Sequence, residues 1–405
     1  MKQYAEYAEQ KIKHICKTFG KREAGSAGER EALGFVADEV RRGGWADTLE
    51  TQDFKVQPRN FMRFSKIVPI IISVGIALFA VTPIVLLAAS VFSLVLVTFR
   101  FLLYRHVNIP IFLKRISRNL YAVRRARTNP EKPRRRIIFS GHIDAAYEMT
   151  LIYYMGHLVF KLVAALCVVG ILFSAVLCGM IVGGVAVYQL WMHIAIVGFT
   201  PVYIGLFFFF NFFHIVDGAN DNLTGTMISA GVLKYLAEHD IRFDDTEVAA
   251  LITGAEESGL RGAKAFVRRN RKLLKSRDTE TLFFAIETIR DEDFFTTYNR
   301  DMNGLVRLNK GAVALLDRAS ARVCGKAFPH GSVFPGATDA AAFAQAGIPA
   351  VALVGMNPKP SDFYHTRLDT AENLSVPCIQ KAFDVSLAVL EEFDRGGVSN
   401  QTPSS

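Results

Sequence analysis

The chain has 405 residues, of which 51% are apolar, and its 47 basic and 38 acidic residues give a net charge of +9. This apolar content excludes a disordered chain. None of the charges falls within residues 67–99 or 162–216, which are uncharged blocks of 33 and 55 residues. The blocks exclude a purely soluble protein. The ordinary charge density of the remaining sequence excludes a transporter with little mass outside the bilayer.

Each uncharged block is long enough for two membrane-spanning helices, because one span needs about 20 apolar residues. We predict two transmembrane hairpins, one over residues 63–104 and one over residues 150–214. Their four helices are predicted over residues 66–82, 84–104, 158–187 and 191–214.

A basic stretch follows the first hairpin. Eleven Lys and Arg residues and a single acid, Glu131, lie between Tyr104 and Arg136. Nucleic acid would suit this charge, but the position directly after an apolar block favours a bilayer with anionic headgroups, and we expect no nucleic-acid partner. Basic residues flank the outer ends of both hairpins and the tips carry no charge. The positive-inside rule therefore predicts a multi-pass protein of the cell membrane whose soluble part faces the cytoplasm.

The sequence outside the hairpins predicts one soluble domain, interrupted twice, and a disordered tail. In chain order these are residues 1–62, 105–149 with the basic loop, 215–398 and the tail 399–405. Apolar strand-like runs such as Arg136–Ser140 and Glu247–Thr253 alternate with helical segments such as 28–42. This alternation is typical of an α/β fold.

Five short motifs lie at predicted strand ends, which is where α/β folds place their sites. Their candidate functional residues are His142, Asp144, Asp221, Glu256, Glu257, Glu287 and His365. Singly, most have an ordinary explanation: His142 could be a polar loop residue, and Asp221 could cap the helix that follows. Together they supply two imidazoles and several carboxylates, a donor set suited to Zn²⁺, Mn²⁺ or Co²⁺. His330 and Asp339 could line the same pocket or be loop residues near it.

Longer motifs surround these residues. In chain order they are REAGS (22–26), GHID (141–144), GANDNLTG (218–225), GAEESGLRGA (254–263), PGATDAAAF (335–343) and YHTRLDT (364–370). With them the chain resembles the co-catalytic zinc aminopeptidase family of bacterial leucyl and aminopeptidase S-like enzymes, to which glutamate carboxypeptidase and the transferrin receptor are related. The resemblance covers nearly all of the sequence outside the hairpins. It implies a three-layer α/β/α sandwich with a mixed central sheet and two Zn²⁺ ions, with Mn²⁺ or Co²⁺ as substitutes.

The resemblance also implies which residues hold the metal. Asp221 would bridge the two ions. Glu257 and His365 would complete one site, and His142 and Glu287 the other. The family usually has Asp at the position of Glu287, so the extra methylene of this chain changes the geometry expected of that site.

Two further residues complete the implied machinery. Glu256 would be the general base and acid, taking a proton from a water shared by the ions and delivering it to the leaving amine. Asp144 would orient the imidazole of His142. The sequence therefore predicts a membrane-anchored two-zinc metallopeptidase of the aminopeptidase type, which hydrolyses amide bonds.

The second hairpin lies between two predicted ligands, His142 and Asp221, and would tether the site near the bilayer surface. We therefore expect membrane-proximal or hydrophobic peptides as substrates, unless the hairpins serve only as anchors. Two other functions stay open: a zinc amidohydrolase acting on N-acyl amino acids or lipids, and a non-catalytic receptor or scaffold. Relatives that cyclise N-terminal glutamine share the fold but use one zinc. The sequence makes no prediction of the oligomeric state.

Overall fold

The computed structural model describes residues 1–105, 112–357 and 362–398, so the tail predicted over 399–405 lies outside the described residues. The chain forms two compact units. The sheet unit comprises Met1–Pro58, Leu113–Ala146 and the residues from Ile215 onwards, and the helical unit comprises Arg59–Phe112 and Tyr147–His214.

Strands and helices are numbered in chain order. The strands are β1 Thr48–Val56, β2 Arg115–Arg124, β3 Arg135–His142, β4 Tyr147–Met149, β5 Phe210–Ile215, β6 Thr246–Thr253, β7 Glu280–Ile289, β8 Phe295–Tyr298, β9 Arg300–Asp301, β10 Val306–Arg307, β11 His330–Gly331 and β12 Ala350–Gly355. The α-helices are α1 Lys2–Thr18, α2 Ala27–Arg42, α3 Phe64–Leu78, α4 Pro83–Val97, α5 Thr150–Val182, α6 Leu190–Val197, α7 Thr200–Phe207, α8 Thr224–Glu238, α9 Arg261–Arg269, α10 Arg271–Leu274, α11 Lys310–Cys324, α12 Asp339–Gln345 and α13 Val376–Gly396.

One sheet organises the sheet unit, with the strand order β1-β2-β6-β3-β7-β12-β8-β11. The four strands β6, β3, β7 and β12 are parallel to one another, whereas β1, β2 and β8 run antiparallel to neighbouring strands. The parallel strands are buried along almost their whole length, as expected for continuous apolar runs covered on both faces. The predicted α/β fold with a mixed central sheet is therefore confirmed.

Helices pack on both faces of this sheet. Phe283 of β7 stacks on Phe343 of α12, with ring centroids 3.7 Å apart. The next residue, Phe284, contacts Phe139 of β3, and Gly141 of the same strand packs directly against the start of α8. Since successive side chains of a strand point to opposite faces, α12 covers one face and α8 the other. Helices α1 and α13 pack against α8.

The chain passes to and from the helical unit at one end of the sheet. We call this the carboxyl end, because the four parallel strands finish there. The last residue of β1, Val56, pairs with the first residue of β2, Arg115, and β2 runs antiparallel to β6. These two residues therefore lie at the end where β3 finishes with His142. The third and fourth crossing points are at Ala146 and Ile215, and Val216 donates a backbone hydrogen bond to the oxygen of Ala146 at 3.0 Å.

The basic stretch between Tyr104 and Arg136 is not the single loop that we predicted. Strand β2 occupies its middle and carries the chain from the carboxyl end of the sheet to the opposite end. The cations are thus divided between the two ends, and several are paired: Arg118 with Asp53, for example, and Arg136 with Glu247. The prediction was wrong because the apolar core of β2 is only a few residues long and lies among arginines.

The helical unit contains α3 to α7 and the short pair β4-β5. Among the described residues, three helical segments are long and apolar enough to cross a membrane: Pro83–Leu102, Thr150–Val182 and Leu190–Phe207. The remaining apolar helix, α3, has 15 residues, which corresponds to about 22 Å. The helix predicted over 191–214 ends at Phe207, because the aromatic residues after it form β5.

Candidate metal centre

The seven predicted site residues come from five separate segments, and the fold brings them together at the carboxyl end of the sheet. His142 is the last residue of β3, Glu256 and Glu257 follow β6, and Glu287 lies near the end of β7. Asp221 lies in the turn that leads into α8, and His365 in the loop before α13. Parallel strands finish at the same edge, so residues far apart in sequence meet there.

Asp221 stands between the two histidines. Its Oδ1 lies 3.2 Å from Nε2 of His142, and its Oδ2 lies 3.0 Å from Nε2 of His365. On the His365 side, Oε1 of Glu257 is 3.1 Å from the same Nε2. On the His142 side, Oε2 of Glu287 is 3.7 Å from Nε2. Each oxygen of one carboxylate therefore faces a different imidazole, and each imidazole has a further carboxylate beside it.

Burial makes this concentration of acids costly without a cation. Burial raises the pKa of Glu257 and Glu287, and neighbouring acids add to the increase. Burial alone would lower the pKa of His365, but the Glu257 and Asp221 carboxylates raise it to about 10. Oε1 of Glu257 is buried and forms no well-oriented hydrogen bond within the described residues, although Nε2 of His365 lies 3.1 Å away. A buried acceptor without a well-oriented donor, among imidazoles and carboxylates, fits a bound zinc ion.

Candidate donor atoms from both sides of Asp221 lie close together. Ligand atoms of His142, Asp221 and Glu257 all lie within 4.8 Å of one another. Two imidazoles and three carboxylates supply the nitrogen and oxygen donors that Zn²⁺ accepts. The residues present therefore fit the implied metal.

Asp144 lies beside the imidazole of His142, and its predicted orienting role stays a prediction. Nδ1 of His142 lies 3.1 Å from the backbone oxygen of Asp144 and 3.6 Å from its carboxylate. The carboxylate instead accepts the backbone N–H groups of Glu256 and Glu257, at 2.9 and 3.1 Å. The backbone of Asp144 thus orients the imidazole, and its side chain fixes the loop that carries the two glutamates.

Two supporting residues were not predicted. Oδ2 of Asp369 accepts the backbone N–H of Asp221 at 3.1 Å, and its Oδ1 accepts from Asn220. Nδ2 of Asn222 donates to Oε2 of Glu287 at 2.6 Å and so holds the longer side chain that this position carries. Asp369 belongs to the YHTRLDT motif and Asn222 to GANDNLTG, so the motifs contained both, but only the folded loops reveal their partners.

A third supporting residue comes from helix α2. The carboxylate of Glu29 is buried and accepts the backbone N–H groups of Gly25 and Ala255, at 2.7 and 2.9 Å, together with the hydroxyl of Ser117 at 2.8 Å. Ala255 directly precedes Glu256. Glu29 therefore anchors the loop of the two glutamates at Ala255, as Asp144 does at Glu256 and Glu257.

Glu256 lies beside the ligands, with its Oε2 3.8 Å from Nε2 of His142. Burial and the charges of Glu257 and Asp339 raise its pKa well above the usual range. Asp339 is buried close by, and its Oδ1 has no hydrogen-bond partner among the described residues. His330, in contrast, is largely exposed and pairs with Asp317 at 2.8 Å.

Comparisons with known proteins identify the fold and the domain family. The sequence profile of Peptidase family M28 matches residues 200–390. No curated protein sequence matches the chain. Among solved structures, an aminopeptidase from Aneurinibacillus sp. strain AM-1 is 14% identical with a TM-score of 0.59, over 96% of this chain and 93% of that chain. A zinc aminopeptidase from Bacillus subtilis is 15% identical with a TM-score of 0.58, over 96% and 95%.

Glutaminyl cyclases share the fold as well. One from an Acidobacteriales bacterium is 14% identical with a TM-score of 0.56, over 96% of this chain and 94% of that chain. Identities this low establish the common fold, while the profile match identifies a peptidase M28 domain in residues 200–390. The chain therefore carries a peptidase M28 domain, of the co-catalytic zinc aminopeptidase family, and the resemblance predicted from its motifs is confirmed.

Proposed function

We propose that this chain is a membrane-anchored two-zinc metallopeptidase of the aminopeptidase type. The observation that carries the proposal is the position of Asp221, whose two carboxylate oxygens each face a different histidine. A carboxylate between two imidazoles, each with a further carboxylate, is an arrangement for two ions. Asp221 would bridge them, Glu257 and His365 would complete one site, and His142 and Glu287 the other.

The chain's own residues supply the rest of the chemistry. Bound zinc would lower the pKa of a water and polarise the amide carbonyl of the substrate. Glu256 takes a proton from the attacking water and later delivers it to the leaving amine. Burial and the neighbouring acids raise the pKa of Glu256, which makes it a stronger base than an ordinary glutamate. Asp144 holds the backbone of Glu256 in place for this transfer.

We propose that the apolar helices anchor the enzyme in the cell membrane with the M28 domain in the cytoplasm. The basic residues that flank the helices support this orientation, and anionic headgroups are the partner that suits them. The metal centre and the chain crossings share the carboxyl end of the sheet. Ala146 is two residues from Asp144, and Ile215 is six residues from Asp221. We therefore expect peptides that are hydrophobic or close to the bilayer as substrates.

Metal content and substrate choice test the proposal. The purified full chain should bind two zinc ions and hydrolyse peptides with a free N-terminus, and N-acetylation of the same peptides should abolish hydrolysis. Cleavage of the acetylated peptides or of N-acyl amino acids would instead identify an amidohydrolase. Cyclisation of N-terminal glutamine with one bound ion would identify a cyclase. Two bound ions with no hydrolysis of any of these would contradict the proposal.

Substrate chemistry can be tested in detergent micelles. A water-soluble peptide and an amphiphilic peptide with the same first residues present the same bond to the metal centre. We expect the amphiphilic peptide to have the lower KM. Equal values would show that the helices serve only as anchors.

A further inference from the structure

Arg22 is a buried cation next to the metal centre that holds none of the predicted roles. It lies before helix α2 in the REAGS motif, and its side chain is 0% exposed. Its Nε donates to the backbone oxygen of Ile143 at 2.8 Å. Its Nη2 donates to the backbone oxygens of Asp217 and, at 3.1 Å, of Gly218. A single guanidinium therefore ties together two loops that are far apart in sequence.

Both of these loops carry residues of the metal centre. Ile143 lies between His142, a proposed ligand, and Asp144, which holds the loop of the two glutamates. Gly218 lies three residues before Asp221, the proposed bridging ligand. Fixing the backbone of Ile143 and Gly218 against one rigid group thus sets the distance between His142 and Asp221.

The loops are packed too closely at this point for the contact to be loose. Gly218 has a φ of +60°, and a Cβ added there would lie 2.9 Å from Cβ of Ala145 and 3.1 Å from Nη2 of Arg22. The backbone oxygen of Arg22 also accepts the N–H of Ala145 at 3.0 Å. Arg22 is thus joined through both its side chain and its backbone to the segment that follows His142.

The same loops connect directly to the helical unit. The chain leaves the sheet unit after Ala146 and returns at Ile215, and Val216 donates to the backbone oxygen of Ala146 at 3.0 Å. The contacts of Arg22 lie between these crossing points and the ligands.

We propose that Arg22 is a positioning residue of the metal centre, which holds His142 and Asp221 at the separation that two ions require. This inference rests on the proposed two-zinc function. Arginine suits the task because its planar group offers five donors in fixed directions, whereas lysine offers one point charge on a flexible stem. Its acceptors are backbone oxygens, so its removal leaves carbonyl groups of both loops without a donor.

Arg22→Met tests the proposal, with Arg124→Met as the matched control. Arg124 is also buried and also donates from Nε to a backbone oxygen, that of Ile241, at 3.0 Å, but it lies at the opposite end of β2 from the carboxyl end of the sheet. Zinc dissociation constants are measured on the full chain by competition with a chromophoric chelator, and folding by circular dichroism. We expect Arg22→Met to weaken zinc binding by roughly 10- to 100-fold, as for other groups that orient metal ligands. Added zinc should restore its activity, and Arg124→Met should bind zinc like the wild type.

The possible outcomes separate the inference from the proposed function. Wild-type zinc affinity in folded Arg22→Met would overturn the role of Arg22. An equal loss of affinity in Arg124→Met would overturn it as well, because the effect would then be general destabilisation. Fewer than two ions in the wild type would contradict the proposed function itself. If Arg22→Met does not fold, Arg22→Lys is measured instead, and an unchanged zinc affinity in that variant would equally overturn the role.

Discussion

Oδ2 of Asp369 accepts the backbone N–H of Asp221 at 3.1 Å, and so one buried carboxylate sets the direction of another. Burial and the charge of Asp221 raise the pKa of Asp369 to about 7. The other oxygen of Asp369 accepts both N–H groups of Asn220. Asp369 thereby fixes two consecutive residues of the loop that carries the proposed bridging ligand.

Asp369→Ala should therefore weaken zinc binding although Asp369 touches no proposed ion. We expect the zinc affinity to fall by about 10- to 100-fold, because groups that orient metal ligands have effects of this size. Competition with a chelator measures the affinity, and Asp317→Ala, at a half-buried carboxylate that pairs with His330, is the control. An affinity equal to that of the wild type would show that Asp221 keeps its position without Asp369.

Glu256→Gln should separate chemistry from metal binding. Glutamine has nearly the same shape but cannot accept the proton of the attacking water, so we expect kcat to fall by roughly 10²- to 10⁴-fold. The zinc content should remain that of the wild type, whereas Glu257→Gln should reduce it. Turnover and metal content are measured on the same preparations.

If Glu256→Gln retains turnover, the general base must be another carboxylate. Asp339 is the first candidate, because it is buried near Glu256 and its Oδ1 lacks a hydrogen-bond partner among the described residues. The double variant Glu256→Gln and Asp339→Asn would then lose turnover.

The strands around the site were predictable because each is a short apolar run closed by a polar or glycine residue. Predicted strand Arg136–Ser140 is observed as Arg135–His142, and Glu247–Thr253 as Thr246–Thr253. Strand β2 was missed because its apolar core is only a few residues long and lies among arginines. Helix α11 was missed as well, although Asn309 caps it by accepting the N–H of Ala312.

The proposed ligands were accessible from the sequence because short motifs carry them. The residues that hold these ligands in place were not accessible from the sequence, because their contacts depend on which loops come together in the fold. Asp369 lies four residues after His365, yet it serves Asp221, 148 residues away. Glu29 serves Ala255, 226 residues away. Spacing within a motif cannot reveal partners at such separations, so only the folded backbone identified them.

Glu29 should make the free energy of unfolding of the metal-free chain depend on pH. We expect this free energy to fall as the pH rises between the pKa of Glu29 in the unfolded chain and its pKa in the folded chain. Burial and the nearby Asp144 charge raise the pKa of Glu29 from 4.5 to about 8. Between these values the folded state holds a proton that the unfolded state has released, so the free energy of unfolding decreases with increasing pH. The glutamine of the Glu29→Gln variant cannot ionise. The melting temperature of this variant should therefore decrease less between pH 5 and pH 8 than that of the wild type. Parallel curves for the two proteins would contradict this assignment.

The orientation in the membrane should be visible from reporters placed at the hairpin tips. A reporter inserted after Thr82 or after Gln189 is expected on the side away from the cytoplasm, because the basic residues Arg63, Arg100 and Lys161 keep the hairpin ends inside. A reporter after Gly397 is the control and should be cytoplasmic. Cytoplasmic signals from both tips would mean that the apolar helices do not cross the bilayer. A signal away from the cytoplasm for the control would invert the orientation and place the M28 domain outside the cell.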